Sequence, residues 1–194
     1  LYDCRLLINI DPFPNNNTET VNEVLEIAKK YCKDVEYRVG DKFTAAAGLR
    51  WGINLLKNDY FFILGGGKTL IKMIDISYMK EKLFSDDKVV QIATLNNNDK
   101  YFNYLLLIPC LCKTSWFKNI YLKYSVDHLE IEYQVRELGI LDNKKCLSYK
   151  ISDSMHEYYP QSIKSYEYKN DWNCIYWNSS EDEEINKLIN IHGE

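Results

Sequence analysis

The sequence lacks a basic footprint. Lys and Arg together number 24 against 28 Asp and Glu, a net charge of -4. No basic run with interleaved aromatics appears, which argues against the phosphate electrostatics of a nucleic-acid binder. It also lacks an apolar stretch long enough to cross a bilayer. Leu105–Cys112 falls far short of the roughly 20 residues such a helix needs, and reads as buried sheet. No signal peptide is recognisable at the start. Histidine is scarce, at three residues. The six cysteines have no zinc spacing. Cys110-Leu-Cys112 is the only close pair, and no second pair or nearby His completes a tetrahedral set. Thiols scattered inside apolar segments read as small buried hydrophobes in a reducing, cytosolic compartment. The Gly-x-x-x-x-Gly-Lys-Ser/Thr spacing of a phosphate-binding loop is missing too. Two Asn-x-Ser/Thr triplets, at Asn16 and Asn178, carry little weight in an Asn-rich chain.

What is present suits a globular α/β protein. A chain of 194 residues with 46% hydrophobic residues fits one domain, here residues 1–165, with an aromatic and acidic tail, 166–194, packing on it. The pattern predicts a strand at Cys4–Ile10, then a helix opened by a Thr20/Glu23 capping box and running to about Lys33. A short strand follows at Val35–Val39, and a helix at Thr44–Lys57 whose Gly48 and Gly52 allow close approach to the sheet. Next comes the central strand, Tyr60–Leu64, an unbroken apolar run of the kind buried on both faces of a parallel sheet. Further along, Thr69–Lys82 reads as helix, Val89–Leu95 and Leu105–Cys112 as strands, Ser115–Leu122 and Asp127–Leu138 as helices with Gly139 as the C-cap, and Cys146–Ile151 as a strand. The region after His156 reads as irregular, with a helix from Ser180 to Ile191. Alternating strands and helices imply a mostly parallel sheet.

Such sheets bind ligands beyond the carboxyl ends of their strands. Gly65-Gly66-Gly67-Lys68 stands at that place after the central strand. Backbone N–H groups of a glycine turn can nest an anion, and a lysine can add charge; a plain tight turn is the competing reading.

In its order of motifs, the segment from Cys4 to Ser165 resembles the inverting nucleotide-sugar glycosyltransferases of family two, which have the GT-A fold. Leu-Leu-Ile-Asn-Ile-Asp11 is similar to their strand ending in a base-contacting Asp. Ala45-Ala46-Ala47-Gly48-Leu49-Arg50-Trp51-Gly52-Ile53 resembles their small-residue helix. Asn58-Asp59-Tyr60-Phe61-Phe62-Ile63-Leu64-Gly65-Gly66-Gly67 resembles the strand that delivers their Asp-x-Asp motif. Leu129-Glu130-Ile131-Glu132-Tyr133-Gln134-Val135-Arg136, with Gly139, is similar to the acidic segment carrying their general base, and His156 to their late His. The resemblance implies a three-layer GT-A-like sandwich, truncated at its N-terminus because the family's first strand–helix unit has no counterpart. The implied activity is hexosyl transfer with inversion from a nucleotide-sugar donor to a glycan or lipid-linked acceptor, in the cytoplasm and in cell-surface polysaccharide biosynthesis. The metal-holding aspartates fall on Gly65 and Gly67. Glycine has no ligand atom, so Mn or Mg would lack its usual partners, and no metal-binding residue is assigned.

Glu130 matches the family's base, which must reach the acceptor proton and be partly desolvated. Read from the residues alone, it belongs equally to a solvated helix face shared with Glu132 and Glu137. Asp127 is the second candidate base, with helix capping as its other role. For the nucleotide sugar the candidates are Asp11, whose other role is an Asx turn before Pro12, then Arg50, Gly65, Gly66, Gly67, Lys68 and His156. A non-catalytic GT-A-like domain that binds a glycan or a partner chain is the alternative to an enzyme.

Overall fold

The computed structural model describes residues 2–10, 18–40, 45–64, 68–70, 74–94, 101–102, 105, 109–127, 129, 131–148 and 156–158. Strand β1 (Tyr2–Ile10) leads into helix α1 (Thr18–Tyr31), strand β2 (Cys32–Val39) and helix α2 (Ala45–Leu55). Strands β3 (Tyr60–Ile63) and β4 (Lys68–Leu70), helix α3 (Ile76–Ser85), β5 (Val89–Ala93), β6 (Tyr101–Phe102) and β7 (Cys110–Lys113) follow. Helix α4 joins Thr114–Trp116, a π-helical turn at Phe117–Tyr121 and Leu122–Tyr124. Helix α5 (Ile131–Leu141), β8 (Lys145–Ser148) and β9 (His156–Tyr158) complete the order.

The strands form a parallel β1–β2 pair, a five-stranded sheet ordered β3-β7-β5-β8-β6, and an antiparallel β4–β9 ribbon. Helices cover both faces of the five-stranded sheet. On one, Ala46 and Ile53 of α2, Trp116, Phe117 and Tyr121 of α4, and Val135 and Leu138 of α5 bury Ala93, Cys110, Cys112 and Cys146. On the other, Met79 and Leu83 of α3 pack on Ile92, Leu111 and Leu147. Removing apolar area of this kind from water is the main favourable term in folding. No helix among the described residues is long and apolar enough to cross a membrane.

The α/β class read from the sequence is present, but the sheet is mixed. β3, β5 and β8 point one way and β6 and β7 the other, so three of its four ladders are antiparallel. A parallel neighbour requires a crossover connection, usually a helix. None is described between β5 and β7, and the chain turns back where the Thr94 N–H and Oγ1 both donate to the Pro109 carbonyl, at 3.0 and 2.8 Å. The run Tyr60–Ile63 alternates as a two-faced strand should, Phe61 and Ile63 against one core and Tyr60 and Phe62 against the other. It borders the five-stranded sheet rather than centring it, and its four residues are only half-buried.

Other boundaries also move. α1 begins at Thr18 and so includes Thr20, and β2 takes Cys32 from the expected helix. The expected helix from Thr69 starts only at Ile76, capped by the Asp75 carboxylate on the Tyr78 N–H; β4 occupies its first residues. Of the expected strand Leu105–Cys112, Cys110 onward is strand and Leu105 is not, while 106–108 lie outside the described residues. Gly139 is not a C-cap but an interior residue of α5, where a Cβ would meet Leu105 Cγ at 2.5 Å. The left-handed residue that ends this helix is Asn143, at φ 51°, one of the few types that tolerate that region. Gly48 does sit against the sheet, within 2.5 Å of Asn9 for an added Cβ, whereas Gly52 faces open space. The expected strand beyond Ser148, the helix at 180–191 and the tail lie outside the described residues.

Candidate functional site

Connectivity fixes which end of the sheet residues 125–127 and Leu129 occupy. β7 ends at Lys113, paired with Tyr60 at the start of β3. α4 begins at once, so it climbs from the amino ends of β3 and β5 toward their carboxyl ends. α5 returns, and Lys145 just after it donates its N–H to the Lys88 carbonyl beside the start of β5. The turn between the helices therefore lies at the carboxyl end of the layer, the end at which β3 delivers Leu64.

Two side chains fix this turn. Arg50, on α2, donates through Nη1 to the Leu122 carbonyl at 2.9 Å, the Ser125 carbonyl at 2.6 Å and Ser125 Oγ at 2.7 Å. Its Nε lies 2.8 Å from Asp127 Oδ1. Gln134, fully buried on α5, accepts from the Val126 N–H at 2.7 Å. Through Nε2 it donates to the Val126 and Leu129 carbonyls, both at 3.0 Å. A buried amide is stable only when its donors and acceptor are satisfied, and Gln134 achieves this by replacing backbone partners that an irregular turn cannot supply.

Two predicted site residues, Arg50 and Asp127, thus form one ion pair. Asp127 is 64% exposed in its side chain. It does not cap the following helix, which starts four residues later at Ile131. Glu130 lies outside the described residues, at the position directly before α5, as do Asp11, Gly65, Gly66 and Gly67. Lys68 and His156 are brought together by their backbones. β4 and β9 pair antiparallel, Lys68 with Tyr158 and Leu70 with His156, which puts Lys68 and His156 two register positions apart on one ribbon.

Gln134 was not among the residues singled out from sequence, yet a signal existed. It falls on the buried stripe Ile131, Gln134, Val135, Leu138, where a polar residue is costly unless hydrogen-bonded. A cleft of about 430 Å³ at the opposite, amino end was likewise unforeseen; Asp87, Lys113, Trp116, Asn119, Asp142 and Lys144 line it. Trp116 Nε1 donates to Asp142 Oδ2 at 2.8 Å, and Lys144 Nζ to the Asp87 carbonyl at 3.4 Å. Burial, with some repulsion from Lys144, holds the Lys113 ammonium below its ordinary pKa, against the pull of Asp87 and Asp86. This cleft mixes two cations with two carboxylates and sits away from the carboxyl ends of β3 and β5, the kind of end at which open α/β sheets bind ligands.

The thiols of Cys110 and Cys112 lie 3.4 Å apart in the core, with Gln91 Nε2 donating to Cys112 Sγ at 3.7 Å. Burial above all pushes the Cys112 and Cys146 thiols well up, so both stay neutral. Among the described residues no group of three or more His, Cys, Asp or Glu side chains is placed to hold a metal ion. Comparison of the sequence with known family models and with curated proteins gives no match.

Proposed function

We propose that the chain is a GT-A-like glycosyltransferase that moves a sugar from a nucleotide-sugar donor to a glycan or lipid-linked hydroxyl, with inversion. The observation that carries this reading is the turn at residues 125–127 and Leu129, clamped by Arg50 and Gln134 at the same end of the sheet as the close of β3. The residues on either side of the expected cleft, the glycine triplet and Glu130, both adjoin that end in the chain. Glu130 takes the role of base and deprotonates the acceptor hydroxyl, which attacks the anomeric carbon opposite the leaving diphosphate. Asp127, already engaged by Arg50, serves to position the turn. Glycines at 65 and 67 offer a metal no side-chain ligand, so Lys68 and His156, joined through β4 and β9, meet the charge that grows on the leaving group. A cytoplasmic setting and a part in cell-surface polysaccharide assembly belong to the same proposal.

Titration of the full chain with uridine, guanosine and thymidine diphosphate sugars, with and without Mn, tests it. Saturable binding is expected, weakened about 10- to 150-fold in Lys68→Ala, the effect of losing one hydrogen bond to a charged group. A folded protein that binds none of these donors at millimolar concentration overturns the reading and leaves the non-catalytic glycan- or partner-binding domain in its place.

A further inference from the structure

We propose that Cys4 and Cys32 are a modification site: a thiol pair that closes to a reversible disulfide between β1 and β2 by exchange with a low-molecular-weight disulfide such as oxidised glutathione. Their Sγ atoms lie 3.4 Å apart although 28 residues separate them in sequence. Tyr2 is the register partner of Cys32 and Arg5 that of Asp34, with an irregularity between Tyr2 and Arg5. Cys4 falls within that irregularity and meets Cys32 across the ladder. Cys4 is not the register partner of Cys32. It is the sulfur-to-sulfur distance of 3.4 Å, reached through the irregularity, that brings the pair close enough for a bond to form after a small shift.

Access separates this pair from the other one. Cys110 and Cys112 are equally close, at 3.4 Å, but both are sealed in the core. The thiolate is the attacking species, and a buried neutral thiol offers neither ionisation nor a path for the reagent. Cys4 is exposed and Cys32 lies just beneath it, at 8% exposure. The Cys4 thiolate attacks one sulfur of the small disulfide and expels a thiolate, leaving a mixed disulfide. Cys32 then attacks the Cys4 sulfur and expels the second thiolate. The two thiol protons end on the two released small thiols, and the protein sulfurs are oxidised as the reagent is reduced.

The test uses the full chain carrying Cys174→Ser, because Cys174 lies outside the described residues. The folded protein is treated with oxidised glutathione, alkylated, digested and mapped by mass spectrometry. The expected product joins the Cys4 and Cys32 peptides with loss of two hydrogens, while Cys110, Cys112 and Cys146 become alkylated only after denaturation. Cys32→Ser should stop the reaction at glutathione on Cys4, and Cys4→Ser should leave Cys32 unmodified. Persistent glutathione on Cys4 of the parent chain, or recovery of Cys4 and Cys32 as separate alkylated thiols, overturns the proposal.

Discussion

Replacing Gln134 with Leu tests the clamp on Val126 and Leu129 directly. Leucine nearly matches glutamine in volume, so the cavity contribution is small and the lost hydrogen bonds dominate. Three go at once, the Val126 N–H and the Val126 and Leu129 carbonyls each losing a partner. A net contribution of about 1 kcal/mol each, and more for groups left buried and unpaired, gives a loss of about 3 kcal/mol. Val126 is only half-buried, and water reaching it would lower the figure toward 2 kcal/mol. For a chain of this size about 3 kcal/mol corresponds to a fall in Tm of roughly 6–12 °C. Urea unfolding followed by far-ultraviolet circular dichroism measures it as a lower midpoint at unchanged slope. If the turn serves the site, donor binding should weaken even at temperatures where the variant stays folded. A stability loss below about 1 kcal/mol would refute the clamp, and a folded variant with full donor binding would refute its service to the site.

Asp127→Asn should cost less than about 1 kcal/mol, because an exposed ion pair is worth little. Arg50→Ala, which strips Leu122, Ser125 and Asp127 of a shared partner, should cost about 2–3 kcal/mol in the same unfolding assay. Two of the three α-helical glycines among the described residues, Gly52 and Gly139, should behave oppositely under thermal melting. Gly52→Ala, with open space around the new methyl, should stabilise by about 0.5–1 kcal/mol. Gly139→Ala drives a Cβ into Leu105 and should destabilise by about 1–3 kcal/mol. The raised Cys112 and Cys146 pKa values fix the sign of an alkaline effect. The folded state keeps both protons after the unfolded chain begins to release them near pH 8.5, so stability is intact below that pH and falls above it. The slope should approach about 2.7 kcal/mol per pH unit for two thiols, read from denaturant midpoints between pH 8 and 10. A flat profile would show that the two thiols ionise freely in the folded protein.

Local chemistry legible in the sequence survives in the fold. The unbroken apolar run that opens at Tyr60 is a strand feeding both cores, the stripe of Ile131, Val135 and Leu138 is the buried face of a helix, and the apolar setting of Cys110, Cys112 and Cys146 is a packed core. These depend on side-chain period and polarity, which each segment carries by itself. Direction and partnership do not. An apolar run looks the same whichever way it crosses a sheet, so the reversed β7 and the edge position of β3 depend on connections that no segment encodes alone. Arg50 met Asp127, Gln134 met the turn before its own helix and Cys4 met Cys32 only after distant segments were folded against one another. Sequence set the polarity and local period of each segment, and with them the buried face of α5 and the apolar setting of the core thiols. The tertiary structure alone decided which polar groups face each other, because that depends on distances between elements rather than on spacing along the chain.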